Sequence, residues 1–139
     1  ALEIIHNQTK DIFTVATEHK FFSVSEMADF LKSIPAGTII YDCSMNQQVL
    51  NLTQYVFGLY PFEDDNILVS TSIIKGGFAK GKILVHSDCS TAILDIMRWR
   101  SPNKEFKNLP SDFDITTERV ARCIRGVVTM VKGKSNFWL

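Results

Sequence analysis

The stretch Lys82–Arg100, KILVHSDCSTAILDIMRWR, constrains the fold more than any other part of the chain. It reads as a buried strand (Lys82–His86), a polar turn (Ser87–Ser90) and an apolar helix that runs to Arg100. A counterpart lies upstream in TIIYDCSMNQQVLNL, Thr38 to Leu52, again a strand, then Asp-Cys-Ser, then a helix. Asp42-Cys43-Ser44 and Asp88-Cys89-Ser90 thus each stand where a strand hands over to a helix. Helix N-termini in such turns collect anions, because their first amide protons have no partner within the helix. The alternation of strands and helices predicts an α/β or α+β sandwich. It is expected as a single globular domain over residues 1–139, with a mixed sheet of about four to six strands and about three to four helices.

Taken in order, Leu2–Ile5 and Asp11–Thr17 read as the two strands of a hairpin, with Ile12-Phe13-Thr14-Val15 alternating as one buried face requires. Ser23 is a helix N-cap, with Glu26 as its reciprocal partner and Phe22 placed to staple against Met27. Met27, Ala28, Leu31 and Ile34 form the buried stripe of that helix, which stops before Pro35. A second helix is predicted over Met45–Tyr60, with Val49, Leu52, Val56, Phe57 and Tyr60 on one face. Asn66–Ile74 has the β-branched content of a strand, and Lys75-Gly76-Gly77 then begins a turn that makes a hairpin with the Lys82 strand. Ser101–Asp114 has no apolar period and reads as a long loop. Asp114 or Thr116 caps the last helix, where Val120, Ile124, Val127 and Val131 line one face. The run Val127–Val131 fits a strand as well as a helix.

A chain of 139 residues can bury a core without disulfides. Its three cysteines, Cys43, Cys89 and Cys123, have no paired spacing. That argues against a secreted disulfide scaffold or a zinc knuckle and points to an intracellular setting, cytoplasmic or nuclear. The triplets Asn7-Gln8-Thr9 and Asn51-Leu52-Thr53 match the glycosylation acceptor pattern by chance, since the second falls in a predicted helix. No run approaches the roughly 20 apolar residues of a membrane span, so no membrane partner is expected. There is no signal-peptide pattern, and the missing initiator Met points to a trimmed or processed chain. The net charge of zero is unevenly divided. Residues 1–74 carry three basic groups against nine acids, a net −6, and residues 75–139 carry twelve against six, a net +6. The asymmetry suits an anionic partner for the C-terminal half, or self-assembly, unless the charges intermix on one folded surface.

Four constellations carry candidate chemistry. Asp42 and Asp88, at one edge of a shared sheet, would suit a magnesium ion that activates a phosphoryl-transfer or nuclease reaction. Capping of helix starts explains the same residues without any metal. The strand-His86-turn-helix outline resembles the loop of cysteine phosphatases in shape. Its chemistry departs from theirs, because Ser87 stands in the place of the nucleophile and Ile93 in that of the required arginine. Arg98 and Arg100 lie about two turns or more down the helix, out of reach of a phosphate at its start. A small buried thiol is the simpler reading of all three cysteines.

The glycines of KGGFAKGK are not a phosphate loop, since Gly81-Lys82 is followed by Ile83 and a strand. Lys75, Lys80 and Lys82 around an exposed Phe78 instead form a basic hairpin tip of the kind that binds single-stranded nucleic acid. Arg119, Arg122 and Arg125 add a second basic stripe. The fourth constellation is Phe137, Trp138 and Leu139, an apolar segment expected at an interface, with Trp138 buried in its own core or, in preference, in a second subunit. The leading expectation is a non-enzymatic binding and assembly module without a cofactor. Its basic half would face nucleic acid or an acidic protein, and it would be a homo-oligomer. The alternative is the metal-dependent enzyme built on Asp42 and Asp88.

Overall fold

The structure, a computed structural model, describes residues 1–34, 39–42, 51–52, 59–62, 67–98, 119–133 and 138. In chain order the elements are β1 (Leu2–Asn7), β2 (Ile12–Glu18), α1 (Val24–Ser33), β3 (Ile39–Asp42), β4 (Leu59–Phe62), α2 (Ile67–Ala79), β5 (Ile83–Val85), α3 (Ser90–Arg98) and α4 (Arg119–Lys132). Both helix and strand are present, as the alternating pattern predicts. The strands, however, form a three-stranded mixed sheet, β1-β2-β5, and a separate two-stranded sheet, β3-β4. One mixed sheet of four to six strands is not formed among the described residues. Contacts within the chain also divide it into two units, one of residues 1–18 and 64–139 and one of residues 19–63.

The first unit is built on β2, where Phe13 and Val15 alternate with outward residues and are 0 and 1 % exposed. β1 pairs antiparallel with β2, and β5 pairs parallel with it, Phe13 opposite Ile83 and Val15 opposite Val85. Phe13, Val15 and Ile83 share one face of the sheet, and that face packs against Ile74 of α2, Cys89 and Ala92 at the start of α3, and Val120, Ile124 and Val128 of α4. The opposite face carries Ile5, Thr14 and Leu84 in one cross-strand row. Val120, Ile124 and Val128 recur at four-residue spacing, so the run that fitted either a strand or a helix is helical through Lys132.

α2 replaces the strand expected at Asn66–Ile74. Its β-branched residues favour a strand intrinsically, but Thr71, Ile74 and Gly77 face the core at three-residue spacing, and burial overrides the preference. The supposed hairpin tip is the end of this helix. Gly81, at φ +67°, lies in the left-handed region. The Gly81 amide donates to Phe78 O at 3.2 Å and the Lys82 amide to Gly77 O at 2.8 Å, a Schellman closure that turns the chain directly into β5.

In the second unit Ser23 caps α1 as expected, its Oγ accepting from the Glu26 amide at 3.1 Å, and Glu26 Oε2 accepts from the Phe22 amide at 3.2 Å. The expected staple is not made, since Phe22 is 88 % exposed. Ala28 and Leu52 form a small core with Val24, Met27, Leu31, Ile39 and Leu59 around it. β3 and β4 are parallel, Ile39 opposite Leu59. Leu59–Phe62 is therefore a strand where a helix running to Tyr60 was expected. Pro61 holds the residue before it away from helical geometry, which ends any helix earlier than Tyr60. Of that predicted helix, Asn51 and Leu52 are helical; its positions 45–50 and 53–58, and the predicted loop Ser101–Asp114, lie outside the described residues.

Candidate functional site

β2 and β5 run parallel, so the first unit has two distinct edges, one beyond the strands' C-terminal ends and one before their N-terminal ends. The C-terminal edge holds the strand-turn-helix unit. There the start of α3 is occupied by the chain's own carboxylate. Glu18 Oε1 accepts from the Thr91 amide at 2.9 Å and Oε2 from the Ala92 amide at 2.7 Å. A carboxylate at a helix start satisfies the amides and the positive end of the helix dipole together. The position where a phosphate would be expected is thus filled from within.

The rest of that turn is structural in its chemistry. His86 Nδ1 accepts from the Asp88 amide at 3.1 Å, which leaves the proton of the neutral ring on Nε2. Cys89 is 1 % exposed, with its Sγ 3.8 Å from Val15 O. Burial pushes its thiol above the ordinary value, and the nearby Glu18 and Asp88 carboxylates add to the rise. A nucleophilic cysteine needs the opposite shift. Cys89 therefore matches the small buried thiol, whereas Cys123 is exposed on α4 and Cys43 lies outside the described residues.

Asp42 and Asp88 are not carried by neighbouring strands. Asp42 ends β3, in register with Phe62 of β4, while Asp88 follows β5, whose sheet partner is β2. Among the described residues β3 and β5 belong to different sheets, so the shared sheet edge that the metal reading required is not formed there, and the Asp88 side chain is 89 % exposed. Among the described residues no three His, Cys, Asp or Glu side chains are grouped so as to hold a metal ion.

The N-terminal edge gathers the basic groups. Lys82 Nζ donates to Lys10 O at 3.1 Å, and the Phe13 amide donates to Lys82 O at 2.8 Å. These bonds bring the β1–β2 turn, with exposed Lys10, beside the α2–β5 turn, with exposed Lys80 and half-buried Lys82. Lys75 is exposed further back on α2. Sequence reasoning found Lys75, Lys80 and Lys82 but not Lys10, which stands in the acidic half of the chain. Only the pairing of β2 with β5 unites them, and the short β5 carries no signal of which strand it would join.

Beside the lysines lies Asp11, at φ +53° in a region that Asp tolerates better than most residues. Its Oδ1 lies 2.9 Å from His6 Nε2, and its Oδ2 accepts from Lys132 Nζ and, at 2.9 Å, from the Trp138 indole N–H. The Lys132 hydrogen bond above all, with those of His6 and Trp138, holds the Asp11 carboxyl down at about 2. The His6 ring stacks on Phe13 at 4.2 Å, Trp138 meets Phe13 edge-on at 5.8 Å, and Lys132 Nζ lies 4.9 Å over the indole. Trp138 is thus seated against its own unit.

Other expected contacts are moved by burial. Phe78 packs against the core and is not an exposed stacking ring. Arg125 is 1 % exposed, on the packed side of α4, so it cannot belong to a surface stripe. Arg122 is half-buried. The side chains of Arg119, Phe137 and Leu139 lie outside the described residues. No helix among the described residues is long and apolar enough to cross a membrane. Compared with known proteins, the chain matches no family model, no characterised protein and no solved structure.

Proposed function

We propose that the protein is a non-enzymatic binding and assembly module that presents a lysine edge to an anionic partner, either nucleic acid or an acidic protein surface. The observation that carries this reading is the convergence of Lys10, Lys80 and Lys82 on one sheet edge, with Lys82 Nζ bound to Lys10 O at 3.1 Å. With Phe78 packed in the core, recognition here rests on charge and not on base stacking. Against an enzyme stand the filled start of α3, the raised Cys89 thiol and the separation of β3 from β5 into different sheets. Thiols at Cys89 and Cys123 support a reducing, intracellular setting.

Binding to a short DNA duplex and to a poly-glutamate peptide, each measured across a salt series, tests the reading. Affinity should fall with salt, and reversal of Lys10, Lys80 and Lys82 to Glu should weaken binding and reduce the DNA salt slope by roughly one for each phosphate that is no longer neutralised. Preserved binding to only one probe identifies the partner class. No binding of either probe at low salt, or binding that ignores the three reversals, rejects the lysine edge.

A further inference from the structure

We propose that the outer face of the β1-β2-β5 sheet docks an amphipathic helix of an acidic protein. The helix lays its apolar stripe on Ile5, Thr14 and Leu84 and its acidic end on the lysine edge. The inference rests on the lysine reading above and names the class of partner.

Strand alternation turns Phe13, Val15 and Ile83 toward the core and leaves Ile12, Thr14 and Leu84 on the other side. Ile5 lies opposite Thr14 in the antiparallel pair, and Leu84 lies opposite Thr14 in the parallel one. Ile5 and Leu84 are 56 and 47 % exposed, with Thr14 half-buried between them and Ile12 half-buried beside it. An exposed apolar row with a charged rim marks a contact surface.

The rim sets the charge of the partner. Lys82 comes just before Ile83, so alternation places it on the side of Leu84, and its Nζ donates to Lys10 O at 3.1 Å at the Ile12 end of the face. Lys10 and Lys80 are exposed beside it. The neighbouring acid, Asp11, has its carboxylate taken up by Lys132 and the Trp138 indole, so it does not offset these lysines. At the far end Glu3 Oε2 accepts from Thr17 Oγ1 at 2.9 Å. The face is thus basic at one end and acidic at the other, and a helix that complements it is acidic at the lysine end.

The apolar row sets the partner's class. A phosphate backbone offers charge and nothing apolar, so nucleic acid would use the lysines and leave Ile5 and Leu84 in water. An amphipathic helix meets both features. Neighbouring strands lie about 4.8 Å apart, so Ile5 and Leu84 stand roughly 10 Å apart across β2, the width of one helix. The seven residues of β2 span about 23 Å, the length of a helix of about 15 residues. Its apolar residues at i, i+3, i+4 and i+7 would follow the strand.

The test uses the full chain and a labelled synthetic helix of about 15 residues, with Leu along one face, Glu in its first turn, and Ala and Gln elsewhere. An isomer with the same composition but its leucines dispersed around the helix, and a short DNA duplex, are measured beside it. Fluorescence anisotropy should show saturable binding of the amphipathic peptide, roughly tenfold tighter than that of the isomer. Ile5→Thr combined with Leu84→Thr keeps the strand preference and should weaken the peptide roughly tenfold while leaving any DNA binding unchanged. Reversal of Lys10, Lys80 and Lys82 to Glu should weaken the peptide as well. If the double variant does not fold, the comparison of peptide with isomer on the unaltered chain carries the test. Equal binding of the two peptides, or peptide binding indifferent to the double variant, overturns the docking face and leaves the lysine edge standing. DNA bound with neither peptide bound also overturns the face and makes the partner nucleic acid. Peptide binding that survives the lysine reversals but not the threonine substitutions keeps the face and overturns the lysine edge.

Discussion

The Glu18 carboxylate and the Ala92 amide, 74 positions apart in sequence, are joined at 2.7 Å. With the second bond to Thr91 at 2.9 Å, this contact ties the end of the central strand β2 to the start of α3. An anion-binding helix start and a closed cap are the same geometry, distinguished only by where the carboxylate comes from. In this chain the anion is built in.

The contact makes Glu18 a stabilising residue. Glu18→Ala should cost about 1–2 kcal/mol, the usual loss when a helix cap is removed, read as a lower urea midpoint at unchanged slope. Glu18→Gln keeps an acceptor oxygen without the charge and should restore part of the loss. An unchanged midpoint in Glu18→Ala would mean that water caps α3 equally well.

Adjacent glycines in α2 should respond oppositely to alanine. A Cβ on Gly77 would meet Ile83 Cδ1 at 2.5 Å and Trp138 Cζ3 at 2.7 Å, whereas on Gly76 its nearest neighbour is Trp138 O at 3.9 Å. Alanine favours the helix by about 1 kcal/mol at either position, but overpacking a filled site costs about 1–3 kcal/mol. Gly76→Ala should therefore be neutral or stabilising and Gly77→Ala destabilising, by thermal or urea unfolding. Equal effects of the two substitutions would show that the Ile83 side chain and the Trp138 ring both yield freely.

The same glycines explain how far the fold was legible. Residues whose pattern and local chemistry agree were readable: the β1–β2 hairpin, the Ser23 cap, the Ile83–Val85 strand and the helix from Ser90. α2 was not, because Ile67, Val69, Ile73 and Ile74 carry strand preference, while the burial of Ile73 and Ile74 is settled by distant partners. Nor were the sheet neighbours, since a three-residue β5 has no pattern to say that it joins β2 and not β3. The site followed suit: three lysines were visible, but the place of Lys10 beside them depends on that pairing, and the Asp11 cluster on Lys132 and Trp138 meeting the β1–β2 hairpin. Arg125 and Phe78 read as surface because charge and aromaticity do not report burial, and the register of each against its helix does.

Asp11 supplies an acid-dependent part of the stability. Its carboxyl lies near 3.8 when unperturbed and at about 2 in the fold, depressed chiefly by the hydrogen bond from Lys132. A depressed acid stabilises the fold while it is ionised, so the contribution is complete above pH 3.8 and fades as pH falls toward 2. The Asp11 side chain is 33 % exposed, so water screens the pair and the contribution is about 1 kcal/mol, not the full value of the shift. Asp11→Asn should lower stability at about pH 5 and have little effect at about pH 2, where the native acid is itself becoming neutral. The check is the difference between the urea midpoints of the two proteins across that range, which cancels the other carboxylates. If the two profiles run parallel instead of converging at low pH, the Asp11–Lys132 pair contributes nothing through charge, and Asp11 serves only as a hydrogen-bond acceptor.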